Sequence, residues 1–277
     1  MKKAVSFILS IIIVSAALIV ESSESRYTSV SFLSTGNSDC IIINTPTTSV
    51  MIDTAYDESF GMIYDKLNSM GIEKLDILIL THYDKDHVGS AAEIIEKFSP
   101  ERIYVTYDRP KVYSKAHRRY INTVKKLKLT PNIVRDYTEL DIGGALLKIY
   151  PPKMDSYLYD CSNNSSLVVA LEQQSVSFLF AADIEELRIA ELLHDGIGNY
   201  DVLKVPHHGW TECNTAQFIE RVSPRYSVVT NKSGRKSIPS TAASIIANGS
   251  YLYTTARGEV AFKCYENYYT VSQNIAR

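Results

Sequence analysis

The sequence has few cysteines and no large excess of either charge. Its four cysteines, Cys40, Cys161, Cys213 and Cys264, include no C-x-x-C pair, and their wide spacing excludes a zinc knuckle. Lysine and arginine total 29 against 31 aspartates and glutamates, so the net charge of -2 restricts any nucleic-acid binding to a local patch. With 45% hydrophobic and 22% charged residues, the 277-residue chain has the composition of one or two globular domains and not that of a disordered protein.

A long apolar run occurs close to the N-terminus, and the sequence contains no second one. Lys2 and Lys3 precede an uncharged, mostly apolar segment at residues 4–20, and polar residues follow from Glu21. This order is typical of a Sec-type export segment, whereas a buried N-terminal helix, the alternative, normally carries a polar face. The run is at the lower length limit for crossing a bilayer. We therefore predict an export signal or membrane anchor at residues 1–25 and a protein that is secreted or anchored on the outer face of the cytoplasmic membrane.

Residues 26–277 contain no internal repeat or low-complexity linker and are predicted to form one domain. Short β-branched runs bounded by turn residues predict strands at residues 30–33, 40–43, 49–52, 75–80, 146–150, 167–171, 176–181, 202–205, 226–229 and 260–265. Helices are predicted at residues 57–70, 89–98, 111–128, 185–193, 214–221 and 240–247. This interleaving predicts an α/β (α+β) protein with two sheets or one mixed sheet. Cys40 and Cys264, inside strand-like runs, are expected to be small buried apolar residues.

The strongest chemical signal is a cluster of potential metal ligands directly after an apolar strand. The segment reads Thr81-His82-Tyr83-Asp84-Lys85-Asp86-His87-Val88-Gly89. Two imidazoles and two carboxylates occur within six residues, on a loop where side chains can converge, and these are ligand types that zinc prefers. A single histidine or aspartate on a loop is usually only solvated, whereas four together at a strand end predict metal binding.

Two other apolar strands also end in potential ligands. Asp183 follows one of them, and His207 and His208 follow the other. Because strand ends at one edge of a sheet lie close together, we expect Asp183 and His207 to complete the site that begins at His82. Asp183 could instead cap the helix that follows it, but capping does not explain its place after an apolar strand.

These segments together resemble a known family. They are Thr81-His82-x-Asp84-x-Asp86-His87-x-Gly89, Asn164-x-Ser166-Leu167-Val168, Asp183, and Lys204-Val205-Pro206-His207-His208-Gly209, after an opening strand-turn-strand that contains Asp39. In this order they resemble the metallo-β-lactamase superfamily, and more narrowly the extracellular hydrolase domain of the ComEC/Rec2 DNA-uptake proteins. The resemblance covers residues 28–265. It implies a four-layer αββα sandwich with a metal centre at one edge of the two sheets.

The resemblance also implies a cofactor of one or two divalent metal ions, zinc or manganese. By position it implies a first metal site with His82 and Asp84, a second with Asp86 and His87, Asp183 as the bridge, and His207 completing the second site, with His208 as the alternative. Asp86, Asp183 and His208 are the expected catalytic residues. A carboxylate would help the metal to activate water, and His208 or Lys85 would stabilise the developing charge.

Two departures from the family pattern change the expected metal chemistry. Asp84 stands where antibiotic-cleaving members carry a histidine, and Asn164 stands close to the place of another histidine ligand. The remaining ligand set is rich in oxygen, which shifts the preference from zinc toward manganese or iron and weakens the first site. Tight binding of a single ion is one expected outcome, and β-lactamase activity is not expected. Trp210 occupies the usual place of a serine, which predicts a remodelled mouth of the site.

One segment is strongly basic against an acidic background. Residues 109–135 contain nine lysines and arginines and no acidic residue, which leaves the rest of the chain at -2 - 9 = -11. The helix predicted at residues 111–128, with Tyr120 among its aromatic residues, could bind DNA or an anionic surface polymer through phosphate contacts. The alternatives are a solvated helix face and a patch attracted to anionic lipid. Lys125, Lys126 and Asn164 are the candidate substrate-binding residues, and no protein partner is inferred.

The leading functional prediction is an exported, metal-dependent hydrolase of phosphodiesters that uses metal-activated water. A second enzyme reading is an ester or lactone hydrolase of surface polymers, including phosphorylcholine esterase-like activity. A third reading, from another class, is a polyanion-binding protein that retains the fold without turnover. The missing imidazoles favour the binding protein, and the six retained ligand residues argue against it.

Overall fold

Two β-sheets form the centre of the molecule. A computed structural model describes residues 27–107, 113–232 and 238–275. The predicted export segment, residues 1–25, lies outside the described residues. Over the three described ranges, none of the helices combines the length and the apolar character needed to cross a bilayer.

Within the described residues, the first sheet contains eight strands, which are β1 (Thr28–Phe32), β2 (Ile41–Asn44), β3 (Ser49–Ile52), β4 (Ile77–Leu80), β5 (Arg102–Thr106), β6 (Asn132–Val134), β14 (Val260–Cys264) and β15 (Tyr269–Gln273). They lie in the order β15-β14-β1-β2-β3-β4-β5-β6. The pairs from β3 to β6 are parallel. The polar loops that follow β3 and β4 therefore leave the sheet at the same edge.

The second sheet, in the part of the chain that the structure describes, contains seven strands, which are β7 (Thr138–Asp141), β8 (Leu146–Tyr150), β9 (Val168–Glu172), β10 (Ser177–Phe180), β11 (Val202–Lys204), β12 (Tyr226–Val229) and β13 (Tyr251–Thr254). They lie in the order β13-β12-β11-β10-β9-β8-β7. The pairs from β10 to β13 are parallel. The segments after β10, β11 and β12 therefore also share one edge.

The α-helices in the described ranges connect and cover these strands. They are α1 (Phe60–Ser69), α2 (Lys85–Val88), α3 (Ala91–Phe98), α4 (Lys115–Lys126), α5 (Cys161–Asn164), α6 (Glu186–His194), α7 (Thr215–Val222) and α8 (Ile238–Ala247). Single 3₁₀ turns occur at Asp57–Ser59, Pro206–Gly209 and Thr255–Arg257.

Alternate residues of the central strands face opposite layers, as the pleat of a strand requires. Ile41 and Ile43 of β2 pack into a core between the sheets together with Phe178 and Phe180 of β10. Ile42, between them, faces the other way and packs with apolar residues of α1, α3 and α4. Helices α6, α7 and α8 cover the outer face of the second sheet in the same manner. The predicted four-layer αββα sandwich is therefore confirmed.

The predicted basic helix is shorter than expected, and one of its aromatic residues has a different role. Helix α4 follows Ser114, whose side-chain oxygen accepts a hydrogen bond from the backbone N–H of His117 at 3.1 Å. This is the usual interaction of a helix N-cap. Residues 111 and 112 lie outside the described residues. Tyr120 is only 5% exposed and packs on the first sheet, so its predicted contact with a polyanion was wrong.

The cysteines do not pair with one another. Cys40 and Cys264 are fully buried in strands or strand ends, which confirms the expectation that they act as small apolar residues. Cys161 is half-buried, Cys213 is exposed, and both are free thiols.

Gly89 closes the segment that carries the predicted metal ligands, residues 81–89, which we call the ligand loop. Its backbone N–H donates to the carbonyl oxygen of Ala55 at 2.8 Å. A Cβ atom added at Gly89 would come closer than 3.0 Å to backbone atoms of Ala55, Tyr56 and Asp57. Glycine is required here because the two backbones touch.

We therefore expect Gly89→Ala to lower the free energy of unfolding by about 2 to 3 kcal/mol, because overpacking forces the two backbones apart. Gly61→Ala in α1 is the matched control, since an added Cβ there meets nothing within 4 Å. We expect the control to be neutral or to stabilise by up to about 1 kcal/mol, because alanine favours a helix. Urea denaturation of both variants measures the difference, and equal effects would contradict this account of the contact.

Candidate metal centre

Four predicted ligands from three distant segments meet at the edge shared by the two sheets. Asp86 and His87 lie in the short helix α2 of the ligand loop, Asp183 follows β10, and His208 follows β11. One ligand atom from each of these side chains lies within 4.8 Å of those of the other three. We call these four residues the central cluster.

The separations inside the central cluster suit a divalent metal ion. His87 Nε2 lies 3.2 Å and His208 Nε2 lies 3.1 Å from the same oxygen of Asp183, Oδ2. His208 Nε2 also lies 3.6 Å from Asp86 Oδ2. Both Nε2 atoms are shielded from solvent and make no hydrogen bond of normal geometry. Buried nitrogen atoms without partners, facing two carboxylates, form a donor set that a transition-metal ion would satisfy.

The opposite ring nitrogens hold the two imidazoles in place. His87 Nδ1 bonds to Asp53 Oδ2 at 2.8 Å, and His208 Nδ1 bonds to the backbone oxygen of Thr230 at 2.8 Å. Asp53 also accepts hydrogen bonds from the backbone N–H and the hydroxyl of Thr81, at 2.8 and 2.7 Å. Such outer contacts are typical of metal sites because they orient each ligand nitrogen. Here they direct both Nε2 atoms toward Asp183.

A buried lysine balances part of the negative charge. Lys204 Nζ lies 2.5 Å from Asp39 Oδ2 and 3.2 Å from Asp183 Oδ1, and all three side chains are almost fully buried. Lys204 also donates to the backbone oxygen of Ala182 at 2.6 Å. The second oxygen of Asp39 accepts the hydroxyl of Thr230 at 2.6 Å. Each buried charge thus has a partner, as burial requires.

Burial and neighbouring charges act in opposite directions on the ionisation of the cluster. Burial alone would raise the pKa of Asp183, but the positive charges of His208, His87 and Lys204 bring its pKa well below the ordinary value. Burial lowers the pKa of His208, but Asp183 and Asp86 outweigh it and raise this pKa to about 9. The pKa of His87 is likewise raised by Asp183 and Asp53 against the effect of burial. Protons on these imidazoles therefore compete with a metal ion.

The predicted first metal site is less completely assembled. His82 Nε2 is buried without a hydrogen bond, and its ring centre lies 4.0 Å from that of His87. Burial, and then the charge of His87, lower the pKa of His82. Asp84 instead accepts a hydrogen bond from Ser162 Oγ at 2.6 Å. His82 and Asp84 thus lie beside the central cluster but outside the group of four.

Asn164 and His207 occupy places different from those expected. Asn164 is fully buried, accepts the backbone N–H of Arg188 at 2.9 Å, and donates to the backbone oxygen of Tyr159 at 3.3 Å. Both ends of its amide are used within the protein, so the structure assigns Asn164 to the scaffold and not to the substrate contact predicted for it. His207 Nε2 lies 4.0 Å from Asp183 Oδ2, at the border of the central cluster. His208, the alternative left open by the sequence, is the one inside it.

The candidate substrate residues on α4 lie on the surface of the helical layer. Lys126 Nζ forms an ion pair with Glu96 at 2.9 Å, and Lys125 is exposed. The helix packs on the ligand loop through the ring of His117, which is stacked on the ring of Tyr83 with 4.1 Å between their centres. The basic helix therefore adjoins the loop that carries the ligands.

Three residues of the buried network were not assigned a role from the sequence. Asp53 follows the apolar strand β3 in the same way that His82 and Asp183 follow β4 and β10, and this repetition could have revealed it. Lys204 lies between apolar residues of a buried strand, an unusual place for lysine that was also a signal. Asp39 was noted as part of the resemblance, but its contact with Lys204 joins segments 165 residues apart (204 - 39) and had no local signal.

Removal of the Lys204 charge tests the network. We expect Lys204→Met to lower the free energy of unfolding of the metal-free protein by about 3 to 5 kcal/mol, because Asp39 and Asp183 lose their buried partner. Lys74→Met is the control, since its ion pair with Glu101 lies at the surface and should contribute about 1 kcal/mol or less. Denaturation of both variants in the presence of a chelator gives the comparison. A cost for Lys204→Met no larger than that of the control would show that Lys204 does not balance the carboxylates.

Comparisons with known proteins identify relatives of this chain in sequence and in fold. ComE operon protein 3 of Bacillus subtilis (strain 168) is 27% identical over 166 residues, which are 59% of this chain and 21% of that protein. The chain thus spans only about a fifth of that relative's length. Among solved structures, the metallo-beta-lactamase fold protein YhfI of Bacillus subtilis aligns with 86% of this chain and 100% of its own, with a TM-score of 0.56 and 11% identity.

A variant of CmlA beta-hydroxylase aligns with 84% of this chain and 53% of its own, also with a TM-score of 0.56, at 13% identity. At such identities the two structures establish the shared fold alone. The sequence profile of the metallo-beta-lactamase superfamily matches residues 33–229, which is more than half of the chain and includes every member of the central cluster. The chain therefore belongs to the metallo-beta-lactamase superfamily.

Proposed function

We propose that this chain is a metal-dependent hydrolase that cleaves phosphodiester bonds with water. The observation that carries the proposal is the convergence of Asp86, His87, Asp183 and His208, with two buried Nε2 atoms left without hydrogen bonds. A divalent cation bound there would supply positive charge and lower the pKa of a coordinated water.

The four side chains have separable roles in this proposal. Asp183 is contacted by both imidazoles through one oxygen and by Lys204 through the other, so it fixes the relative positions of all three. Asp86 is the most accessible member of the cluster, with 19% of its side chain exposed, and it is the carboxylate that a substrate or water reaches first. We assign Asp86, Asp183 and His208 to catalysis on this basis.

An anionic substrate is supported by the way charge is distributed on α4. Arg119 and Lys126 face α3, where they pair with Glu93 at 2.8 Å and Glu96 at 2.9 Å. Their charges therefore contribute little to attraction of a polyanion.

Two other basic residues of α4 lie on a different face. Arg118 and Lys125 are exposed, and their spacing of seven residues places them in one row along the helix. We call this row the basic face. Because α4 packs on the ligand loop, the basic face supports DNA or another phosphate polymer as the substrate.

The location proposed for this activity is the outside of the cytoplasmic membrane. The support is the order of Lys2, Lys3, the apolar residues 4–20 and the polar residues after them, which is typical of export.

The first test is turnover of bis-p-nitrophenyl phosphate with added manganese or zinc. We expect Asp86→Asn to reduce turnover by more than about 100-fold, since even loss of a contact behind a ligand costs up to about that factor. Asp65→Asn removes the same charge from an exposed position of α1 and should retain full activity. Turnover by wild type that survives chelation, or an active Asp86→Asn variant, would disprove the assignment. Metal-independent DNA binding without any turnover would favour the binding-protein alternative.

The second test concerns the basic face. We expect the double variant Arg118→Glu, Lys125→Glu to bind long DNA about tenfold or more weakly, with a shallower salt dependence, because it loses phosphate contacts. Turnover of the small ester should be unchanged. The control is Lys74→Glu with Lys97→Glu, which alters the net charge equally at exposed positions outside α4. Similar weakening in both double variants, measured by fluorescence anisotropy at several salt concentrations, would mean that net charge and not the basic face is responsible.

A further inference from the structure

A second group of ligand side chains lies next to the central cluster. Glu185, His207 and Glu212 each place one ligand atom within 4.8 Å of those of the other two. Two ligand atoms bound to one ion at 2.0 to 2.2 Å are at most about 4.4 Å apart, so small side-chain movements would bring all three onto a common ion. We call these residues the outer cluster.

Adjacent histidines serve the two clusters because the chain turns between them. His207 and His208 have φ values of 44° and 51°, and their ring planes are inclined by 61° with centres 6.1 Å apart. His208 is 1% exposed and faces Asp183 and Asp86, whereas the side chain of His207 is 22% exposed. The outer cluster therefore lies nearer to the solvent than the central one.

The contacts of His207 indicate an unsatisfied ligand position. His207 Nδ1 lies 3.0 Å from Glu185 Oε1, yet this buried nitrogen makes no hydrogen bond of normal geometry. A separation of about 3 Å is what two ligands on one metal ion adopt. Glu185 is held in place by Asn163, whose Nδ2 donates to the same oxygen at 2.7 Å.

The outer cluster also has an excess of negative charge. In the described parts of the chain, Glu185 and Glu212 form no ion pair with lysine or arginine. Two carboxylates thus face one imidazole, and a cation would neutralise them.

We propose that Glu185, His207 and Glu212 bind a divalent transition-metal ion that is separate from the ion of the central cluster. One imidazole and two carboxylates are ligands that zinc and manganese both accept. The site requires neither a substrate nor turnover, so it stands independently of the proposed phosphodiesterase activity.

Metal binding to the purified full chain tests this site. After removal of metal, manganese is added, and the number of bound equivalents and their affinities are measured by calorimetry and elemental analysis. We expect wild type to bind two equivalents and Glu212→Gln to bind one, with the affinity for the lost equivalent reduced at least about tenfold. Glu220→Gln, which removes the same charge from an exposed position of α7, should retain both.

An Asp86→Asn variant separates the two sites, because it should lose the ion of the central cluster and keep the ion of the outer one. Thermal melting of each metal-free variant verifies that it folds. The proposal is overturned if wild type binds fewer than two equivalents. It is also overturned if Glu212→Gln binds manganese with the stoichiometry and affinities of wild type. If Glu212→Gln loses one bound ion relative to wild type and wild type is inactive toward phosphodiesters, the outer site is supported and only the proposed activity is rejected.

Discussion

The buried contact of Lys204 with Asp39 and Asp183 is the interaction on which the metal centre depends. Three charged side chains are almost fully removed from water there, which is unfavourable unless each has a close partner of opposite charge. Asp39 comes from the first sheet, whereas Lys204 and Asp183 come from the second. The ionic contact therefore joins the two sheets at the edge where the ligand loop and the strand ends meet.

Hydrogen bonds from residues around this contact orient the side chains of the candidate metal ligands. Asp53 binds both His87 and Thr81, so the end of β3 orients residues that follow β4. Thr230 binds both His208 and Asp39, so the end of β12 orients a ligand after β11 and a carboxylate from the other sheet. Asp53 and Thr230 thus each hold two neighbouring residues in position. The Nε2 atoms of both histidines are consequently directed to one carboxylate.

Around the metal centre, adjacent residues of the same type have different contacts. Lys125 and Lys126 are adjacent and both exposed, but among the described residues only Lys126 of the two pairs with α3. His207 and His208 are also adjacent, but one faces Glu185 and the other faces Asp183. In both places, two neighbouring side chains of the same type point in different directions and therefore have different contacts. Helical periodicity explains the lysines, and two consecutive positive φ values explain the histidines.

Local chemistry in the sequence was sufficient to predict the layers and the type of centre. Apolar runs of four to six residues predict buried strands. A ligand residue that directly follows such a strand lies at an edge of the sheet, whatever the position of the strand within the sheet. The strands β6, β7, β13 and β15 were missed because much of their surface is exposed and their apolar pattern is weak. The buried strand β5 was also missed. Tertiary structure alone decided that His208 enters the central cluster, that Asn164 serves the scaffold, and that Asp39 meets Lys204. These outcomes depend on contacts between segments far apart in the chain, and neither spacing nor residue type encodes such contacts locally.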